Sequence, residues 1–404
     1  MTARRTFWTL VLSSAAILAV TMGIRQSTGL FVSPLNSATG LGIVTISFAL
    51  AVGQFVWGAA QPLFGMLADR VGSFRVIVFG AVLLATGMAI TPWMDSGVGL
   101  ILAMGILTAA GAGAGSFSIL IGAAAQRLPA DKRSFASGFI NAGGSFGQFV
   151  FAPVAQALIS AFGWITAMVT LAATTLTTIL LALPLRQSKA AAAATMAPPP
   201  GGMTLGQQTR IAFQDPSYWC LHAGFFTCGF HIAFLVTHLP GEVALCGLPA
   251  SVSASALAII GLANIVGSIS AGWLGQTKRM KMILVWMYAS RAVAIAIYLM
   301  APKTDLTFYI FAAVLGLTWL STVPPTAGLV AKLFGARYLA TLFGLTLFSH
   351  QIGGFFGAWL GGIAIDRTGS YDWMWYADIV LASLAALVNL PIREDKPVMA
   401  GVAA

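Results

Sequence analysis

Apolar stretches of about 20 residues recur along this chain from near residue 8 to near residue 391. Each is long enough to cross roughly 30 Å of hydrocarbon as a helix. No other feature narrows the fold as much. Inside a bilayer every backbone N–H and C=O must find its partner within the protein, so such stretches become helices packed on one another. Only 8% of the 404 residues are charged and 58% are hydrophobic, where a soluble domain carries about 25% charged residues. The chain is expected to be an all-α integral membrane protein that crosses the bilayer many times.

Basic clusters, prolines and polar breaks divide the chain into twelve predicted spans, near 8–33, 43–68, 76–94, 99–125, 134–160, 164–185, 218–242, 250–274, 282–301, 306–331, 338–364 and 371–391. With the N-terminus cytoplasmic, 17 of the 21 Lys and Arg fall in cytoplasmic loops. Lys303 and Arg367 fall outside, and Arg25 and Arg291 remain within spans. That bias supports both the count and the orientation. Both termini are then cytoplasmic, in a plasma membrane (the inner one in a Gram-negative cell). The net charge of +10 comes from these loops and forms no patch for nucleic acid. Cys220, Cys228 and Cys246 give neither a disulfide framework nor a CxxC pair. Arg4 and Arg5 precede an apolar run that is long and lacks a clear small-x-small site, so it is read as an uncleaved first span.

The longest polar interruption, 186–210, carries an Ala tract, three prolines and paired glycines. It reads as a flexible or mixed linker. The expected units are an N-terminal six-helix half (1–185), a cytoplasmic linker (186–217) and a C-terminal six-helix half (218–404). Span seven starts at Asp215 and Pro216, a cap followed by a first-turn proline. The halves echo each other. "GMLADRVGSFR" (65–75) and "GWLGQTKRMK" (272–281) leave spans two and eight, with Gly65 and Gly272 207 positions apart. Gly138 and Gly344, in spans five and eleven, are 206 apart. One offset for two landmarks indicates a duplicated six-helix unit, an architecture common in secondary transporters.

With Gly65, Leu67, Ala68, Asp69, Arg70, Gly72 and Arg75, the loop after span two is similar to the Gly-x-Leu-Ala-Asp-Arg-x-Gly signature of the major facilitator superfamily. The second copy departs from it, with Gln276 at the Asp position. The resemblance implies twelve helices in two pseudo-symmetric halves and a conformational latch made by Gly65, Asp69, Arg70, Gly72 and Arg75. Read without it, the charged members are ordinary topology charges. "RQSTGLFVSPL" in span one and "FHIAFLVTHLP" in span seven resemble the monocarboxylate transporter branch and its bacterial relatives. Those relatives carry an Asp and an Arg in span eight, where this chain has Asn264 and Ser268.

The resemblance also implies that spans one, four, seven and ten line a central cavity. A charge at membrane depth costs at least a few kcal/mol, so Arg25 calls for a reason. Beside Gln26 and Ser27 it is expected to contact substrate or a gate, with snorkelling to the outer interface as the rival reading. In span seven His231 and His238 lie seven apart on one face and, with Asp378 of span twelve, are candidates for proton coupling or gating, His231 also for substrate contact; His222 reads as helix–helix glue. In span ten Trp319 is a candidate wall, and Ser321 and Thr322 candidate ligands, of the substrate pocket. Pro324 and Pro325 there are expected to break or bend the helix. His350, Gln351, Asn141 and Gln148 form the next tier, and Gln54 and Gln61 read as helix glue. Arg291, mid-span nine, must turn inward, towards a backbone carbonyl at a broken helix or towards substrate. None of the eleven acids is placed at mid-membrane; Asp378 and Glu242 come nearest.

An electropositive cavity without a carboxylate favours an anion, held by a charge-assisted bond to guanidinium. The expected function is secondary transport of a small organic anion, a monocarboxylate in the first instance, with H+ symport or anion exchange. The rival is an exporter of an amphipathic or drug-like compound, its pocket built from the Gly-rich span four and the many Phe and Met. No Walker A loop, metal-ligand spacing or nucleophile motif points to an enzyme or a cofactor. A monomer is expected.

Overall fold

The computed structural model describes residues 3–125, 127–128, 130–186, 203–335 and 339–394. It is all-helical over the described residues. Among the described residues, nine stretches are long and apolar enough to cross a membrane. One of them, Gly138–Leu181, covers spans five and six and is divided at Gly163, whose φ of +80° interrupts the helix. Two more polar helices of crossing length follow, Leu339–Thr368 and Asp372–Asn389. The arrangement is consistent with twelve spans.

Spans one, four and ten are among those that are interrupted. Span one runs Ala3–Gln26, tightens into a 3-10 turn at Thr28–Phe31 and continues as Val32–Thr39. Span four contains a π-helical stretch, Ile101–Thr108, where the Thr108 hydroxyl donates to the Ala103 carbonyl five residues back. Such wide turns concentrate at functional sites. Span ten is broken into Asp305–Thr318 and Val323–Phe334, as its proline pair leads one to expect. Proline lacks an N–H and fits only the first turn of the second piece.

The linker differs from expectation. Residues 187–202 lie outside the described residues, but Leu205–Gln214 is a helix. Thr204 and Gln207 close a reciprocal capping box at its start, which satisfies two otherwise unpaired N–H groups. Buried Gln208 donates to the Phe334 carbonyl at the end of span ten, tying this helix to the C-terminal half. Asp215 caps span seven through the Ser217 N–H at 2.7 Å, as the sequence indicates.

The same face of the C-terminal half is fastened by Glu394. Its carboxylate accepts from the Met280 and Lys281 N–H groups at 3.0 and 3.1 Å and from Lys332 Nζ at 3.3 Å. An acid at the positive end of a helix is stabilising. Glu394→Gln is expected to lower stability by about 1–3 kcal/mol through loss of charge-assisted bonds, seen as a lower melting temperature in detergent. An unchanged melting temperature would dismiss the contact as incidental.

Within each half the first and fifth helices pack along each other, span one on five and span seven on eleven. Glycine permits the approach. A Cβ on Gly147 would lie 2.0 Å from the Ala19 carbonyl oxygen, and one on Gly353 1.9 Å from that of Phe226. Gly147 and Gly353 are 206 positions apart, as are Gly23 and Gly229, which approach the facing backbones of spans five and eleven. The duplication inferred from the loops therefore extends into the packed interior.

Spans two and five of the first half meet spans eleven and eight of the second. On the face opposite the N-terminus the halves are closed. Gly29 abuts the Val236 carbonyl and Gly362 abuts Ser47. Toward the N-terminal face the four repeat glycines, Gly65, Gly138, Gly272 and Gly344, meet nothing within 4 Å among the described residues.

Candidate functional site

Between the halves lies a cavity of about 60 Å³. A water needs roughly 10–15 Å³ of such space, so it holds a few waters or a ligand of a few heavy atoms. Spans one, two, four and five line it from one side, spans ten and eleven from the other. Its polar lining is mostly amide: Gln26, Gln61, Asn141, Gln148 and Gln351, with Ser145 and His350. No Asp or Glu is among the lining residues. Gln26 Oε1, Gln61 Nε2, Gln148 Nε2, Gln351 Oε1 and His350 Nε2 are buried without a protein partner among the described residues. Their other polar capacity is partly used: His350 Nδ1 and Gln351 Nε2 pair at 2.8 Å.

Arg25 is not itself among the lining residues but packs on one of them. Its guanidinium donates to Gln54 Oε1 and lies over the Trp57 ring, 4.1 Å from the centroid. Trp57 lines the cavity. Gln54 is about 16 Å along span two by helical rise, so Arg25 points to the middle of the bundle. Outward snorkelling, the rival reading, is not what the structure has. The hydrogen bond to Gln54 uses one of five guanidinium donors.

Six residues expected at the substrate, Arg25, His231, Arg291, Trp319, Ser321 and Thr322, are not among the lining residues. Arg291 is 1% exposed and donates through Nη2 to the carbonyls of Thr318 and Trp319, at 2.7 and 3.3 Å. It occupies the broken end of span ten, the structural alternative read from the sequence. Trp319 faces His231 edge-on, ring centroids 5.7 Å apart. Ser321 Oγ donates to Asn264 Oδ1 at 3.2 Å. His231 pairs through Nδ1 with Asp378 Oδ2. For Arg291 the physical reason is the helix break, which exposes backbone carbonyls that a buried polar side chain turns to first; Ser321 and His231 are taken up by buried side-chain partners instead.

The His231–Asp378 pair corrects the expectation that no acid lies at mid-membrane. Both residues are fully buried. Asp378, seven residues into its helix, meets a histidine halfway along span seven. Glu242 stays nearer the opposite face, accepting from Tyr298 Oη at 2.7 Å. His238 packs between spans, its Nε2 2.7 Å from the Ala358 carbonyl oxygen and its Nδ1 3.4 Å from Tyr371 Oη. His222 bonds Ser349 at 2.6 Å, helix glue as read.

Of the latch residues, the side chains of Asp69 and Arg70 lie outside the described residues. Gly72 forms the turn between spans two and three at φ +89°, a conformation that favours glycine. Arg75 is exposed.

Sequence reasoning missed Gln54 and Trp57 as partners of Arg25, and placed Gln61 as glue although it lines the cavity. A signal existed for Trp57: it is three residues after Gln54, on the same helical face.

The sequence matches the Major Facilitator Superfamily profile over residues 11–358, most of the chain. The chain belongs to the major facilitator superfamily. As a major facilitator it is an integral, multi-pass transporter that moves a small molecule across a membrane, and not an enzyme. Among curated proteins it is 25% identical to monocarboxylate transporter 13 of Rattus norvegicus over 395 residues, covering 95% of this chain and 89% of that protein. It is 24% identical to the oxalate:formate antiporter of Oxalobacter formigenes over 372 residues, 90% and 86% of the two chains. A protein of solved structure superposes with a TM-score of 0.70 at 14% identity, covering 94% of this chain and 95% of that one. It is a bacterial homologue of the human lysosomal transporter Spinster, in an inward-facing and occupied conformation.

Proposed function

We propose that this transporter carries a small organic anion, a monocarboxylate in the first instance, by alternating access with H+ symport or anion exchange. One observation carries the reading. A guanidinium, Arg25, stacks on Trp57 in the wall of a cavity lined by amides and by no acid. A carboxylate gains a charge-assisted bond there, and amides with free donors complete its hydrogen bonding. A lipophilic cation has no counter-charge in this lining. The cavity volume also favours a compact ligand. The similarity to a monocarboxylate transporter and to an oxalate:formate antiporter supports the same class.

In this reading the N-terminal face is cytoplasmic, in line with the loop charges. The contacts at Gly29 and Gly362 then close the outer side of the cavity. Gly65, Asp69, Arg70, Gly72 and Arg75 form the latch on the inner side. The transporter works as a monomer in the plasma membrane.

Purified protein in liposomes with an inward pH gradient or preloaded carboxylate is expected to accumulate labelled formate, lactate or pyruvate. The same compounds are expected to raise the melting temperature, because a ligand that binds only the native state stabilises it. Lipophilic cations that accumulate where carboxylates neither shift nor accumulate would sink the proposal.

A further inference from the structure

The interrupted segment of span ten, 319–322, is held from three sides. Arg291 of span nine takes the carbonyls of Thr318 and Trp319. Asn264 of span eight accepts from the Leu320 N–H at 2.9 Å and from the Ser321 hydroxyl at 3.2 Å. The amide of Asn264 also donates across the two halves to Ser145 Oγ of span five, at 2.8 Å. Leu320, Val323 and Ser145 all line the cavity. The break is thus bound both to the cavity wall and to the opposite half.

On its far side stands the His231–Asp378 pair. Around His231 face Asp378 from span twelve, Arg291 from span nine and Trp319 from span ten. Tyr288 of span nine lies 5.6 Å below Arg291, and Cys228 of span seven contacts Thr322. His350 of span eleven lies within electrostatic reach of Arg291, and His238 lies two turns along span seven. With Nδ1–H donated to Asp378, a neutral imidazole keeps its lone pair on Nε2. That nitrogen is buried and has no partner among the described residues. The carboxylate and the guanidinium balance; one added proton leaves the cluster at net +1.

Resting on the anion reading above, we propose that Nε2 of His231 is the proton-binding site of the transport cycle, read out through Arg291 and the break in span ten. A proton arriving at Nε2 breaks no bond. It turns the pair into imidazolium and carboxylate and places a second positive charge beside Arg291, the side chain that holds the carbonyls of the break. The load on the break reaches the cavity through Leu320 and the other half through Asn264 and Ser145. Position 231 is also the repeat equivalent of Arg25, 206 residues on and likewise two residues after a close-packed glycine.

Trp319 reports the site without any substrate. The fluorescence of wild type minus that of Trp319→Phe, titrated in detergent over about pH 4 to 9, is expected to show a midpoint from imidazole ionisation. His231→Asn, which keeps a donor for Asp378 but binds no proton, is expected to abolish it. In liposomes, His231→Asn and Asp378→Asn are expected to lower the ratio of pH-driven accumulation to carboxylate exchange at least tenfold. Asn264→Leu keeps the titration and loses the same ratio. A flat wild-type titration, or full pH-driven accumulation in His231→Asn, overturns the proton site. An intact titration in a protein that moves no carboxylate overturns the anion reading alone. Asn264→Leu with full coupling removes the relay.

Discussion

Arg25→Gln is expected to weaken saturable carboxylate uptake by about one to two orders of magnitude in affinity while leaving the protein folded. A charge-assisted hydrogen bond to a ligand contributes about 1.5–3 kcal/mol, and each 1.4 kcal/mol is about a tenfold change in Kd. Affinity should therefore fall between about ten- and a hundredfold. Glutamine removes the charge while keeping a polar donor on the face of span one that meets Gln54. Arg25→Lys keeps the charge but loses the planar stack on Trp57, and it is expected to fall in between. The measurements are a carboxylate thermal-shift titration and uptake into liposomes. Undiminished affinity in Arg25→Gln would make Arg25 a strut between two helices.

The second large effect concerns stability. At Gly229 a Cβ would stand 1.6 Å from the His350 carbonyl oxygen, so Gly229→Ala forces spans seven and eleven apart. Overpacking typically costs about 1–3 kcal/mol. Here the obstacle is backbone, which cannot rotate away, and the cost belongs at the upper end or above it. A fall in melting temperature, with loss of monodisperse protein in the stronger case, is the expected result. Gly344→Ala is the control. It meets nothing within 4 Å among the described residues, and alanine is the better helix former by about 1 kcal/mol, so it should melt no lower than wild type. Equal melting temperatures for the two variants would contradict the close approach of the helices.

Much of this architecture was legible because membranes make polarity expensive. Arg25 and Arg291 drew notice as charges in apolar spans, and both turn inward in the structure. The broken helix was readable from Pro324 and Pro325, and a backbone carbonyl was a foreseeable partner for Arg291. What escaped were pairings set by the stagger of separate helices. Asp378 looked peripheral when counted from the start of its own span. Only the packing of spans seven and twelve brings it to His231. Asn264 read only as a departure from the Asp and Arg that related chains carry in span eight; its service to the Leu320 N–H depends on where span ten breaks. The linker helix was hidden by the Ala, Pro and Gly before it, although Thr204 and Gln207 spelled out its cap.

The shared spacing of Gly23 and Gly229 has a consequence for descent. When a six-helix unit duplicates, the two copies start with the same residue at every equivalent place. Arg25 and His231 occupy one such place. The first carries a guanidinium, which stays charged; the second carries an imidazole, a group able to take up a proton. A single ancestral position has thus diverged into a fixed charge in one copy and a titratable one in the other, while the glycine that seats each helix stayed the same.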